Sequence, residues 1–148
     1  MNSRSAHETA VRVQTRETSA EALIQGVLHR IRKMDPLLNC FTTVLDEKAM
    51  EDARTIDRRL AAGERLGPLA GVPFGVKDLF DVAGVVTRAG SKILAGNAPA
   101  RTDAILVQRL KRAGAVLVGC QNMDEFAYGF TIENAHYGAT RNRMIPSG

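Results

Sequence analysis

The chain of 148 residues contains no tryptophan, two cysteines, two tyrosines and five phenylalanines. Two cysteines cannot build a disulfide scaffold. The longest apolar stretch, Ala113 to Cys120, includes Gly114 and Gly119 and is far too short for a transmembrane helix. The opening residues, Met1-Asn2-Ser3-Arg4-Ser5-Ala6-His7-Glu8, carry no apolar secretion core, which predicts a cytoplasmic protein. Neither sign of charge dominates: 20 basic and 16 acidic side chains give a net charge of +4, spread along the chain. That mild bias marks no nucleic-acid face, so neither a nucleic acid nor a membrane is expected as a direct partner. What is present, 45% hydrophobic and 24% charged residues, suffices for a globular core.

Periodicity places a helix from Thr18, whose spacing to Glu21 suits a capping box, through Leu23, Val27, Ile31 and Met34, with Ile24 and Leu28 widening the stripe. Asp35-Pro36 is expected to end it. A weaker helical pattern precedes it between His7 and Gln14. Cys40 to Leu45 reads as extended. A further helix follows, with Asp46 as N-cap, Ala49, Ala53, Ile56 and Leu60 on one face, and Gly63 past its end.

From Gly67 the texture becomes apolar and glycine-rich. A buried strand is predicted over Phe74 to Val76, with Pro73 at its start. A long glycine-rich passage, Gly84 to Pro99, leads to a helix capped by Thr102, with Asp103 in its first turn, Ile105, Leu106 and Leu110 inward, and Gly114 at its end. Ala115 to Cys120 is the clearest buried strand. Strand, helix and strand form a βαβ unit, hence a parallel pair in an α/β fold. Two such strands do not close a sheet, so the sequence reads as one end of a larger domain. Its parts are a helical segment over about residues 1–66, a strand-helix-strand segment over about 67–142, and an end at 143–148.

Few residues suggest chemistry by position. Cys40 and Cys120 have no CxxC partner and His7, His29 and His136 are scattered, so no zinc site is indicated; buried thiols are expected. Glu133 and His136 stand in Glu-x-x-His spacing, but one copy in a glycine-flanked loop does not make a di-iron site. The glycines at 84, 90 and 96 spell no phosphate-binding fingerprint. Asp124-Glu125 reads as a cap or solvated pair, and adjacent Ser91-Lys92 is set aside as a dyad. Lys77 lies where α/β folds place ligand sites, directly after a buried strand. Position leaves two readings open: a partly desolvated general base, or a strand-end lysine whose stem packs while its head reaches water.

Motifs decide between them. Gly67-Pro68-Leu69-Ala70-Gly71-Val72-Pro73-Phe74-Gly75-Val76-Lys77-Asp78 resembles the catalytic-lysine strand of the amidase signature family. The likeness continues through Gly90-Ser91-Lys92, Thr102-Asp103-Ala104, Arg112-Ala113-Gly114-Ala115, Asn122-Met123-Asp124-Glu125-Phe126-Ala127-Tyr128-Gly129 and Thr140-Arg141-Asn142. The stretch Phe126 to Gly138 is most similar to the branch acting on 1-carboxybiuret, followed by the glutaminase component of glutamyl-tRNA amidotransferases. The resemblance implies the N-terminal part of a mixed sheet covered by helices, and hydrolysis of a linear amide C–N bond of biuret or 1-carboxybiuret type by a serine, a cis-serine and a lysine. Lys77 is the implied catalytic lysine, and Phe126, Ala127 and Gly129 the implied substrate-pocket residues. No metal or cofactor is implied; a small helical partner subunit is. Both family serines fall beyond Gly148, and Arg143-Met144-Ile145-Pro146-Ser147-Gly148 departs from the family pattern, so Ser147 is no substitute for them. The chain alone is therefore expected to be inactive, with an amidotransferase glutaminase or a non-catalytic truncated fragment as the alternatives.

Overall fold

The computed structural model describes residues 5–142. In order these form helices α1 (Ala6–Gln14) and α2 (Ala20–Leu38), strand β1 (Phe41–Val44), helix α3 (Asp46–Ala61), strand β2 (Pro73–Lys77), helix α4 (Ile105–Arg112), strand β3 (Val116–Gln121), a short turn at Glu125–Ala127, and strands β4 (Glu133–Asn134) and β5 (Gly138–Ala139). They divide into two compact units. One takes in the chain up to Arg30, Leu45–Phe74 and Gln108–Val118; the other takes in Ile31–Val44, Gly75–Val107 and the chain from Gly119.

In α3 the predicted stripe is buried, but in α2 the expected face is shifted: Leu23, Val27, Ile31 and Met34 are only half-buried, and the flanking Ile24 and Leu28 are the buried residues. Val13, Ala20, Ile24, Leu28, Ala49, Ala53, Ile56 and Leu60 are all core residues. Their spacing places each set on one face, and withdrawing that face from water stabilises helices whose intrinsic propensity is modest. The caps differ from the sequence reading. Helix α1 has the capping box, formed by Ser5 and Glu8. Helix α2 starts at Ala20, not at Thr18: the Ser19 hydroxyl accepts from the Ala22 N–H at 3.0 Å. The Asp57 carboxylate of α3 accepts from the N–H groups of Ala20 at 2.8 Å and Glu21 at 2.9 Å. Glu21 is thereby released from capping and pairs with Arg54 at 2.8 Å. Asp46 is the first residue of α3 rather than its cap, which falls to Leu45 without a side-chain bond.

Pro36 does not stop α2; it sits inside the last turn. Near a helix end, proline removes only one intrahelical donor; the helix ends two residues later at Leu38, and Asn39 beyond it takes φ +53°. The Asn39 N–H returns to Asp35 O at 2.7 Å. The Asp35 carboxylate accepts from the N–H groups of Cys40 at 2.7 Å and Phe41 at 3.2 Å, turning the chain into β1.

The three-stranded sheet has the order β1-β3-β2. The β1–β3 pair is antiparallel, with Phe41 opposite Gln121 and Val44 opposite Gly119. At one end Val116 N–H donates to Val72 O, and at the other Asp78 N–H donates to Gln121 O, so β2 and β3 run parallel. The sheet is mixed. Val116 to Cys120 are buried throughout, as expected, whereas in β2 only Val76 is buried and Phe74 and Gly75 are half-buried. Helix α4 corrects the sequence reading more clearly. It begins at Ile105 rather than beside Thr102; Ile105 and Leu106 are exposed, and Val107 is the buried residue. Its lead-in is pinned elsewhere, with Asp103 accepting from Ala83 N–H at 2.8 Å and Ala104 N–H donating to Asp81 O at 2.8 Å. Leu110, also expected inward, is half-buried.

Replacing Asp57 with alanine leaves two helix-start N–H groups unpartnered and should lower stability by about 0.5–2 kcal/mol in denaturant titration, with Asp57→Asn costing less. A second expectation concerns the α2–β1 turn. Burial, and secondarily the Asp35 carboxylate, pushes the Cys40 thiol up from its ordinary value. A raised thiol pKa means less thiolate at mildly alkaline pH, so Cys40 should alkylate more slowly than a solvated cysteine. Asp35→Asn removes one raising charge and should speed the labelling, read by mass spectrometry.

Candidate active site

The residues singled out in the sequence all fall in the second unit, whose interior is unusually polar. Asp78, Ser91, Asn122 and Asn134 are buried there beside Val76, Val82, Val107, Cys120 and Met123. A buried polar group is costly unless hydrogen-bonded, and among the described residues no buried side-chain polar atom is left without a partner.

Lys77 is the last residue of β2 and is exposed. Asp78, immediately after it, is 1% exposed and held on every side. Its N–H donates to Gln121 O at 3.0 Å, and its carbonyl accepts from Ala89 N–H at 2.7 Å. Its carboxylate accepts from the Thr42 hydroxyl at 2.7 Å and from Arg88 N–H at 3.3 Å. The Arg88 guanidinium lies 3.7 Å from the same carboxylate and donates to Thr43 Oγ1 at 3.0 Å. The backbone bearing Lys77 is thereby fixed while its side chain remains outside.

Ala89 carries the connection onward. Its carbonyl accepts from Phe126 N–H at 2.8 Å, so the turn bearing Phe126 and Ala127 is two backbone hydrogen bonds from Asp78. Phe126 and Ala127 adopt φ +51° and +60°, a region that L-residues visit at a cost. Asp124 closes the loop that follows: its carboxylate accepts from Ile132 N–H at 3.2 Å and Glu133 N–H at 3.1 Å. Gly129 is needed inside that ring, since a Cβ there would lie 2.5 Å from Asp124 Cγ. Phe126, Tyr128 and Phe130 point outward, Tyr128 at 96% exposure.

Asn134 binds this loop to the Gly90-Ser91-Lys92 segment. Its amide donates to Gly90 O at 2.7 Å and Met123 O at 2.8 Å, while its oxygen accepts from the N–H groups of His136 at 2.7 Å and Tyr137 at 2.9 Å. Gly90, at φ +68°, admits no side chain, because a Cβ would stand 2.7 Å from that amide. Asn122 works similarly, donating to Asn39 O at 3.2 Å and Gly138 O at 2.9 Å.

The structure therefore joins Phe126 and Ala127 to the end of β2 through Asp78 and Ala89, while Gly129 belongs to the Asp124 ring. The His136 imidazole is engaged by Glu125, with Nε2 3.4 Å from Oε1. Among the described residues no group of three His, Cys, Asp or Glu side chains could hold a metal. Cys40 is half-buried and Cys120 buried, and neither is in a disulfide. The sequence reading missed Asp78, Asn122 and Asn134. Their signal was a short polar side chain directly following or interrupting an apolar run, which in a buried setting must find backbone partners.

A family model described as Amidase matches residues 22–147. The chain belongs to the amidase signature family. It is 58% identical over 125 residues to the AtzE component of 1-carboxybiuret hydrolase from Pseudomonas sp. (strain ADP), an alignment that covers 84% of this chain and 27% of that protein. It is 49% identical over 149 residues to the A component of glutamyl-tRNA(Gln) amidotransferase from Acidothermus cellulolyticus, covering 98% of this chain and 29% of the relative. Among solved amidases, a vestigial protein complex bearing on the origins of an s-triazine catabolic enzyme superposes with TM-score 0.93 at 53% identity, covering 95% of this chain and 31% of that one. A bacterial aryl acylamidase of the amidase signature family superposes with TM-score 0.88 at 29% identity, covering 94% and 29% of the two chains. The amidase chain thus spans less than a third of the length of these relatives.

Removing the Asn134 side chain should test the polar interior. Asn134→Ala leaves two carbonyls and two N–H groups unpaired, at about 1–3 kcal/mol for each group that stays buried and unsatisfied. The expected result is lower stability, with faster hydrogen exchange at the His136 and Tyr137 amides.

Proposed function

We propose that this chain supplies the lysine-bearing N-terminal part of an amidohydrolase that cleaves a linear amide C–N bond of the biuret or 1-carboxybiuret type. The observation that carries the reading is Lys77: an exposed lysine side chain at the carboxyl end of a parallel strand pair, on backbone immobilised by buried Asp78. A base needs a fixed point of attachment, and this anchoring fixes the backbone from which the lysine projects while leaving its amine, among the described residues, free of hydrogen bonds that would compete with the proton transfer. In the proposed cycle Lys77, acting through a cis-serine, takes the proton of a nucleophilic serine. The serine oxygen bonds to the substrate carbonyl carbon, and backbone N–H groups stabilise the oxyanion. The C–N bond then breaks as the amine leaves with the proton, and water hydrolyses the acyl-serine. The two serines belong to the part of the domain that follows Asn142 in the family. Phe126, Ala127 and Gly129 are proposed to line the substrate pocket, on the loop that Ala89 and Asp124 hold in place.

The 49% identity to the A component of an amidotransferase supports a second reading, a glutaminase delivering ammonia to a transfer RNA-linked substrate. Under either reading a small partner protein is proposed, since the superposed s-triazine relative was solved in a protein complex. Among the described residues no helix is long and apolar enough to cross a membrane.

The experiment uses the full-length protein that contains this chain, assayed with 1-carboxybiuret, biuret and glutamine. Preference for the first two supports the main reading, and preference for glutamine the second. Lys77→Ala should abolish kcat, and Lys77→Arg should not restore it, because a guanidinium stays protonated. Near wild-type turnover by either variant refutes Lys77 as base. The 148-residue chain assayed alone should hydrolyse none of the three substrates.

A further inference from the structure

The first unit contains a cleft that the amide chemistry leaves unused. It has a volume of about 360 Å³ and is lined by Arg59 of α3, Arg65 of the connection to β2, and Lys111 and Arg112 of α4, over an apolar floor of Ile56 and Leu66. Asp52 is the one carboxylate in the lining, and Lys48 already engages it at 3.1 Å. Glu64 engages Arg59 at 2.7 Å. Arg112 turns instead to the neutral amide of Gln108 at 3.1 Å. Arg65 is exposed, and among the described residues no carboxylate pairs with it. The cleft therefore concentrates positive charge on one side of the unit.

Two stretches far apart in sequence, residues 52–67 and 111–115, converge to make it, so the cations are not strung along one helix. Guanidinium groups match phosphate oxygens in bidentate geometry, and several together favour an anion bearing more than one charge. The volume lies at the lower end of the range for small-molecule sites, about 300–1,000 Å³, which is more than a single phosphate requires. We propose that this cleft binds the polyphosphate group of a small molecule, either free or carried by a nucleotide. It is independent of the lysine chemistry, since every lining residue lies in the first unit and Lys77 in the second.

The test is calorimetric titration of the full chain with pyrophosphate at low salt, together with amide-shift mapping. Saturable binding is expected, with shifts centred on residues 56–67 and 111–115. The double variant Arg65→Ala, Arg112→Ala should weaken it by about tenfold or more. Both positions are exposed, and unchanged circular dichroism will verify that the variant folds. Arg30→Ala, which removes an exposed cation outside the cleft, should leave binding unchanged. ATP and adenosine distinguish the sources: equal affinity for ATP and pyrophosphate assigns the free polyphosphate, and tighter ATP binding with adenosine unbound assigns a nucleotide. Absence of saturation, an equal effect of Arg30→Ala, or an undiminished affinity in the double variant overturns the proposal.

Discussion

The Asp78 carboxylate is the constraint on which the second unit depends. A carboxylate withdrawn from water is tolerated only when neighbouring donors replace its hydration. Here the replacements come from Thr42 of β1 and from Arg88 beyond β2, so satisfying one side chain fixes two distant segments at the end of one strand. The backbone of Asp78 adds a rung to β3 and a link to Ala89. Position is thereby transmitted to Lys77 from its neighbour, without a bond to the lysine itself.

The two units solve the folding problem differently. In the first, alanine, valine, leucine and isoleucine fill the interior, and fit rather than direction decides the packing. In the second, Asp78, Asn122 and Asn134 act as side chains that tie backbone together where regular secondary structure is sparse. Directional bonds of this kind specify one arrangement of a loop, which non-directional apolar contacts do not.

Helix positions were legible because their apolar spacing depends only on local geometry. The helix starts were less so. Thr18 and Glu21 satisfy the capping-box spacing, yet Asp57 reaches Ala20 and Glu21 from 36 or more residues away, and such a competitor leaves no local trace. Pro36 misled because the rule about its preceding residue ignores how little a final turn has to lose. The start of α4 was misread because Thr102 is not its cap: the segment before Ile105 is held by Asp81 and Asp103 instead, partners that lie outside the helix. At the candidate site the family motif singles out Lys77, and the structure places it at the exposed end of β2. Asp78 carries the same motif, but its role depends on Thr42 and Arg88, partners no spacing rule connects to it.

The left-handed backbone at Ala89, Phe126, Ala127 and Ile132 has a consequence for how such a loop can change over generations. Each residue held there without being glycine costs about 1 kcal/mol or more, so the loop is not in its own resting shape. Asp124, Asn134 and Ala89 hold it by grasping main-chain atoms only. Aromatic identity at 126, 128 and 130 can therefore drift at little cost to the framework, since those side chains project away from it. Loop length is more constrained: a residue inserted or deleted between 127 and 131 would alter the span from Phe126, held by Ala89, to Ile132 and Glu133, held by Asp124. Such a loop diversifies by substitution within a fixed frame of residues, a route to new ligands that leaves the architecture untouched.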